Sequence, residues 1–170
     1  GIFSKRTIEE LTTANNISDL YLDSEIGIDN DTKKSLPITI LETFYGKLYQ
    51  GDCLDLLQML DSDSIDLIFA DPPFNLNKYY PSEVDDNLAE REYIKWCESW
   101  AFQCARVLKK GGAFFIWNLP KWNTYISSYL NNFLTFQHWI SVDIKYRLPI
   151  KGRLYPSHYS LLYYTKGYKP

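Results

Sequence analysis

Asp71-Pro72-Pro73-Phe74 gathers a carboxylate, a rigid carbonyl-bearing backbone and an aromatic face within four residues. Proline rings fix φ at positions 72 and 73 and restrict the residue before each, so the Pro72 carbonyl cannot swing freely. A planar ring with an exocyclic amine calls for this set. The carboxylate and the carbonyl can each accept one N–H bond, and the Phe74 ring can stack on the plane. A second feature lies near the end of the sequence. Lys145, Arg147, Lys151, Arg153, Lys166 and Lys169 interleave with Tyr146, Tyr155, Tyr159, Tyr163, Tyr164 and Tyr168. Bases mixed with aromatics form the footprint expected for nucleic acid. A solvated edge hairpin that uses Lys and Arg against aggregation fits the same residues. His138 and His158 pair with no recognisable Ser or Cys nucleophile and are read as structural.

Such a turn needs a strand to deliver it. Ile65-Asp66-Leu67-Ile68-Phe69-Ala70 is a compact apolar run, as expected of a strand buried on both faces, and it leads directly into Asp71. The prolines stop it there. Upstream, Phe44 to Gln50 is a short strand ending at Gly51-Asp52, and Cys53 to Leu60 spaces Leu54, Leu56, Leu57 and Leu60 as a helix does. Downstream, residues 75–88 are a polar loop in which Asn75 takes a shaping role. Ala89 to Leu108 carries Tyr93, Trp96, Cys97, Trp100, Ala101, Cys104, Val107 and Leu108 on one helical stripe, which assigns Trp96 and Trp100 to the core. Lys109 and Lys110 suit the end of that helix, and Gly111-Gly112 closes it. Ala113 to Trp117 reads as a strand, Pro120 to Phe133 as a helix, and Phe136 to Tyr146 and His158 to Thr165 as strands. Trp117, at a strand end, is read as core.

The order β-α-β-α-β-α-β-β predicts an open α/β sheet, mostly parallel, with helices on both faces. The last two strands have only a loop between them and must pair antiparallel. Ligands of such sheets collect beyond the carboxyl ends of the strands, which is where Asp71 to Phe74 stand.

The composition bounds the rest. The 170 residues are 45% apolar and 23% charged, which excludes a disordered polymer or a fibre. No apolar run approaches the roughly 18–20 residues of a membrane span. The first residues, Gly-Ile-Phe-Ser-Lys-Arg, lack both an initiator Met and a signal-peptide core, so a trimmed chain is expected. Cys53, Cys97 and Cys104 are odd in number and unclustered, which predicts three free thiols in a reducing cytoplasm and no metal site. Residues 1–40 read as an appendage, with a helix from Thr7 to Leu20 and a polar linker from Asp23 to Ser35. Residues 41–170 hold the chemistry. Residues 1–144 carry all 21 acids and 12 of the 18 bases, so an acidic body precedes a purely basic last stretch.

Asp71-Pro72-Pro73-Phe74 resembles the Asp-Pro-Pro-Tyr/Phe motif of DNA amino-methyltransferases, which methylate N6 of adenine or N4 of cytosine. Gly51-Asp52-Cys53 with Leu54 and Leu57 resembles the segment that precedes this motif in the β-group, where the catalytic half comes first. Arg106 to Phe114 resembles that group's helix–Gly-Gly–strand junction, and His158 to Gly167 its last catalytic-half strand. The likeness covers about residues 46–167 and implies a Rossmann-like fold with S-adenosylmethionine as cofactor. It implies catalytic roles for Asp71, Pro72 and Phe74, and places Asp52, Cys53, Asp71 and Pro72 beside the cofactor. It also implies that double-stranded DNA is the partner, met by Phe74 and by Lys145, Arg147, Lys151 and Arg153. The target base leaves its helix, its amine donates to Asp71 and to the Pro72 carbonyl, and the freed lone pair attacks the sulfonium methyl in line; no metal is needed. Asp at the first motif position leans toward adenine N6 over cytosine N4. The group's Phe-x-Gly-x-Gly cofactor motif has no counterpart among the eight glycines. A cut chain, a second polypeptide that completes the site, or a catalytically silent nucleic-acid-binding remnant each fit that gap.

Overall fold

The computed structural model describes residues 36–76, 87–143, 151–152 and 158–167. All of them belong to Leu36–Pro170, one of two units into which the chain divides. The helix and linker read before residue 36 lie outside the described residues. The described helices include none long and apolar enough to cross a membrane.

Strands β1 (Ile38–Thr43) and β2 (Gly46–Gln50) form an antiparallel hairpin. Phe44 and Tyr45, expected within a strand, are its turn and are almost fully exposed. Thr43 Oγ1 accepts from the Tyr45 N–H and donates to the Gly46 carbonyl, a local alternative to ladder pairing that Thr offers readily. Helix α1 (Cys53–Met59) follows, then β3 (Ile65–Ala70), α2 (Glu90–Val107), β4 (Leu108–Asn118), α3 (Pro120–Leu130), β5 (Thr135–Asp143) and β6 (His158–Thr165).

The last four strands form one sheet in the order β3-β4-β6-β5. β3 and β4 are parallel, and β6 is antiparallel to both β4 and β5. Three strands thus run one way, and the last strand in sequence returns between two of them. The antiparallel final pair is as expected, because no helix separates β5 from β6. β6 takes the inner place because it is the more apolar strand. It buries Leu162 and Tyr164 completely, while β5 leaves Phe136, His138, Trp139 and Ile140 exposed at the edge.

Period-two alternation sends Phe114 and Ile116 of β4, and Leu162 and Tyr164 of β6, to one face. There they meet Tyr93, Cys97, Trp100, Ala101 and Cys104 of α2 and Ile126 and Leu130 of α3. Leu54 and Leu57 of α1 and Ile68 and Ala70 of β3 pack on the same core. The Rossmann-like open α/β sheet is therefore present, and its three described helices all gather on one face. β3, expected to be buried on both faces, is the sheet's edge strand. Its alternate residues Leu67 and Phe69 point away from the helices and are 60% and 58% exposed.

The passage from α2 to β4 also differs from expectation. Gly111-Gly112 does not close the helix, which ends at Val107 and turns straight into the strand. The pairing of β3 with β4 jumps from Ile65↔Leu108 to Leu67↔Ala113, so the intervening residues bulge out of register. Gly111 sits at φ +81°. A Cβ on Gly112 would lie 2.9 Å from the Lys109 carbonyl oxygen and 3.0 Å from that of Asp66. The glycines serve a bulge in the strand. The helix end is satisfied from β6, where Lys166 Nζ donates to the carbonyls of Ala105, Arg106 and Leu108 and pairs with Asp63 at 2.8 Å.

Candidate active site

Asp71, Pro72, Pro73 and Phe74 leave the carboxyl end of β3 without helix or strand geometry. Asn75 follows at φ +55°, the left-handed region that Asn tolerates better than most side chains, and turns the backbone. Its side chain then closes a two-bond clasp. Nδ2 donates to the Leu88 carbonyl at 2.9 Å, and the Leu88 N–H donates to Oδ1 at 2.8 Å. The shaping role expected of Asn75 is thus a specific one, since it joins the two ends of the loop that leads from β3 to α2.

Two carbonyls of the turn are tied to the helix layer. The Tyr93 hydroxyl of α2 donates to the Pro73 carbonyl at 2.6 Å. The Trp122 Nε1–H of α3 donates to the Phe74 carbonyl at 2.8 Å. Asn118, completely buried at the end of β4, donates through Nδ2 to the Tyr93 hydroxyl at 3.2 Å and accepts the Leu119 N–H. Buried polar groups must be paired, and the Tyr93, Trp122 and Asn118 side chains each find a partner here. The Tyr93 and Trp122 rings lie 4.6 Å apart between centroids. Sequence reading assigned Tyr93 to the core stripe and left Trp122 without a role. The polar handles of a buried Tyr and a buried Trp are the only sequence signal that could have marked them.

The Asp71 carboxylate is exposed and has no hydrogen bond or ion pair among the described residues. Phe74 is half-buried, its ring 6.0 Å from that of Tyr159 on β6, which lies 5.2 Å from Trp117 of β4. Trp117 is half-buried on the sheet face away from the helices, so its assignment to the core does not hold. Three rings from three parts of the sequence meet beside the turn.

Asp52 caps α1, Oδ1 accepting the Leu54 N–H at 2.8 Å. The Arg106 guanidinium of α2 donates to the Leu57 carbonyl and to Ser62 Oγ. These contacts tie the last turn of α1 to the last turn of α2, so the first residue of α1 lies toward the carboxyl ends of the strands. No hydrogen bond or ion pair links Asp52 to Asp71. The Cys53 thiol is pushed up from its ordinary value by desolvation and then by the neighbouring Asp52 carboxylate.

Lys145, Arg147 and Arg153 lie outside the described residues. Lys151 is exposed in a turn with Gly152. Lys166, part of the basic stretch, is spent on the end of α2 and is no phosphate ligand. His138 is exposed, its ring 6.1 Å from that of Tyr163.

The family model described as DNA methylase matches residues 65–170. The type II methyltransferase M.BamHI of Bacillus amyloliquefaciens is 56% identical over 128 residues, covering 75% of this chain and 30% of the relative. M.HpaI of Haemophilus parainfluenzae is 34% identical over 122 residues, covering 71% and 38%. The solved structure of the PvuII DNA methyltransferase, described as cytosine-N4-specific, superposes with a TM-score of 0.57 at 20% identity, over 73% of this chain and 50% of that one. The chain spans about a third of the length of the curated relatives that it matches.

Proposed function

The chain belongs to the DNA methylase family as part of the catalytic region of a β-group amino-methyltransferase, and we propose that it carries the amine-activating corner of an enzyme that methylates a flipped base in double-stranded DNA. One observation carries this reading. Asp71 presents a carboxylate that has no partner among the described residues, on a turn whose Pro73 and Phe74 carbonyls are tied down and whose two proline φ angles are covalently fixed. S-adenosylmethionine is the methyl donor, and when bound it supplies an electrophilic methyl carbon on a sulfonium. The acceptor side of its site fits the chain, since Asp52 and Asp71 are exposed carboxylates toward one end of the sheet. Asp52, Cys53, Asp71 and Pro72 are the residues that would hold it. Among the described residues no glycine-rich turn offers donors to the rest of the molecule, and a further segment or chain supplies that part.

The protein's share of the chemistry follows from the turn. An exocyclic amine is a poor nucleophile because its lone pair is delocalised into the ring. Asp71 and the Pro72 carbonyl each accept one of its N–H groups, which favours a pyramidal nitrogen with its lone pair free. As the nitrogen becomes cationic, the fixed carboxylate stabilises it, and such preorganised electrostatics is typically the largest catalytic contribution. Asp71 or water takes the released proton. Flipping costs a few kcal/mol, and stacking on Phe74 returns about 1–3 kcal/mol.

Adenine N6 and cytosine N4 present the same amine to this corner. The finer assignment to adenine rests on Asp71 alone. The test is Asp71→Ala in the complete methylase, with nucleoside mass spectrometry of the product. A fall of about 10²–10³ in single-turnover rate is expected, with DNA affinity little changed and N6-methyladenine formed by the parent. A rate within threefold of the parent overturns the role of Asp71. N4-methylcytosine in the parent product overturns the choice of adenine and leaves the amine chemistry standing.

A further inference from the structure

We infer that Tyr93 is a positioning residue for methyl transfer, acting through the Pro73 carbonyl to aim the Pro72 carbonyl at the base. The inference rests on the reading of Asp71 and Pro72 given above and names a side chain outside the motif on which that reading depends.

The argument is geometric. The peptide between Pro72 and Pro73 is planar, and the ring of Pro73 locks the torsion that follows that plane. The direction of the Pro72 carbonyl is therefore coupled to the orientation of Pro73. One rotation of Pro73 remains free, its ψ, and the Tyr93 hydroxyl restrains it by donating to the Pro73 carbonyl, 2.6 Å away. The phenol is well placed for this. Its ring is 2% exposed, wedged against Trp122 and Trp96, and cannot follow the turn outward. Asn118 Nδ2 donates to the same hydroxyl oxygen, so the phenolic proton is left to point at Pro73. Asn118 is itself fixed by burial and by the Leu119 N–H. Trp122 repeats the device one residue later, at the Phe74 carbonyl. The turn is thus restrained covalently at the φ angles of Pro72 and Pro73, sterically at the Pro72 ψ by the proline that follows it, and by hydrogen bonds at the ψ angles of Pro73 and Phe74.

A misplacement of about 1 Å in a reacting geometry can cost on the order of 10²-fold in rate. Tyr93→Phe removes the hydroxyl and keeps the ring. In the complete methylase, single-turnover transfer by Tyr93→Phe is expected to slow roughly tenfold or more, with KM for S-adenosylmethionine and Kd for target DNA both within twofold of the parent. Tyr164→Phe is the matched control. Its hydroxyl is bonded to Ser127 and Asn131 at the other end of the helix layer, and its transfer rate should stay within twofold. Should Tyr93→Phe fail to fold, as judged by its thermal transition, Asn118→Ala carries the test with the same thresholds, because it removes the donor that leaves the phenolic proton pointing at Pro73. A Tyr93→Phe rate within twofold of the parent overturns the inference. So does an equal loss in Tyr164→Phe, because the effect is then general weakening. A parent that transfers no methyl group to DNA overturns the proposed function and this inference with it.

Discussion

Phe74 carries the stacking claim, and its surroundings make that claim testable. Its ring is half-buried and lies against that of Tyr159 at a tilted 42° and 6.0 Å. Phe74→Tyr keeps the ring face and should transfer methyl groups within threefold of the parent. Phe74→Ala loses a stacking surface typically worth about 1–3 kcal/mol per base, and its transfer should fall at least fivefold on duplex DNA, less on a mismatched target that opens easily. Equal rates for Ala and Tyr would make Phe74 a packing residue. The cysteines separate by burial at the same scale. Burial pushes the Cys97 and Cys104 thiols up to about 12, and both stand on the buried face of α2. Cys53 is raised too, mainly by desolvation, and is exposed. The thiolate is the reactive form, so buried, raised thiols are inert. Alkylation at neutral pH should modify Cys53 first and reach Cys97 and Cys104 only with denaturant. Labelling of all three at similar rates in the folded protein would contradict this packing.

At the scale of elements, the α2–β4 junction depends on two features distant from it in sequence or in appearance. Lys166 arrives from the end of β6, with its side chain only 12% exposed, and caps the carbonyl end of α2. A cation at a helix C-terminus is favourable, and hydrogen bonds to charged groups contribute about 1.5–3 kcal/mol. Lys166→Met should therefore destabilise the fold by about 2 kcal/mol in urea unfolding. The salt dependence of DNA binding should not move, because this ammonium faces carbonyls. A changed salt slope with unchanged stability would reverse the assignment. Arg106 does related work beside it, with one guanidinium holding Leu57, Ser62 and Gln103 and so joining α1 to α2.

At the scale of the molecule, the described helices cover one face of the sheet, and Leu67 and Phe69 stand on the other. The candidate site lies at one end of the sheet, and the described residues give it acceptors without a glycine-rich turn. The 170-residue chain alone should therefore bind S-adenosylmethionine weakly or not at all by calorimetry. Micromolar binding would show that the pocket is made by residues other than Asp52 and the Asp71 corner. The basic stretch gives a second measurement. If Lys145, Arg147, Lys151 and Arg153 neutralise phosphates, losing two or three such contacts should flatten the slope of log affinity against log salt by about two to three units, since each contributes roughly −0.9. The loss should be equal on target and non-target duplexes, because phosphate contacts carry no sequence information. Coincident slopes for parent and quadruple-Ala variant would leave these residues as a soluble edge.

The motif turn, the strand before it and the long amphipathic helix after it are legible in the sequence because each is specified locally. Prolines end β3 wherever it lies, and the spacing from Tyr93 to Val107 makes one stripe in any context. The same local rule misreads what depends on neighbours. An apolar run looks the same whether a strand is central or at an edge, so β3 gave no sign that Leu67 and Phe69 would face outward. Gly111-Gly112 suits a helix stop and a strand bulge equally, and the close approach of the Lys109 and Asp66 carbonyls decides between them. Lys166 counts as one more positive charge until β6 is laid beside β4 and α2. Tyr93, Asn118 and Trp122 stand 20 residues or more beyond Pro73 in the chain, and nothing local joins them to Pro73 and Phe74. Only the closed tertiary structure brings their donors to those carbonyls, because a hydrogen bond is decided by distance in space, which separation in sequence does not fix.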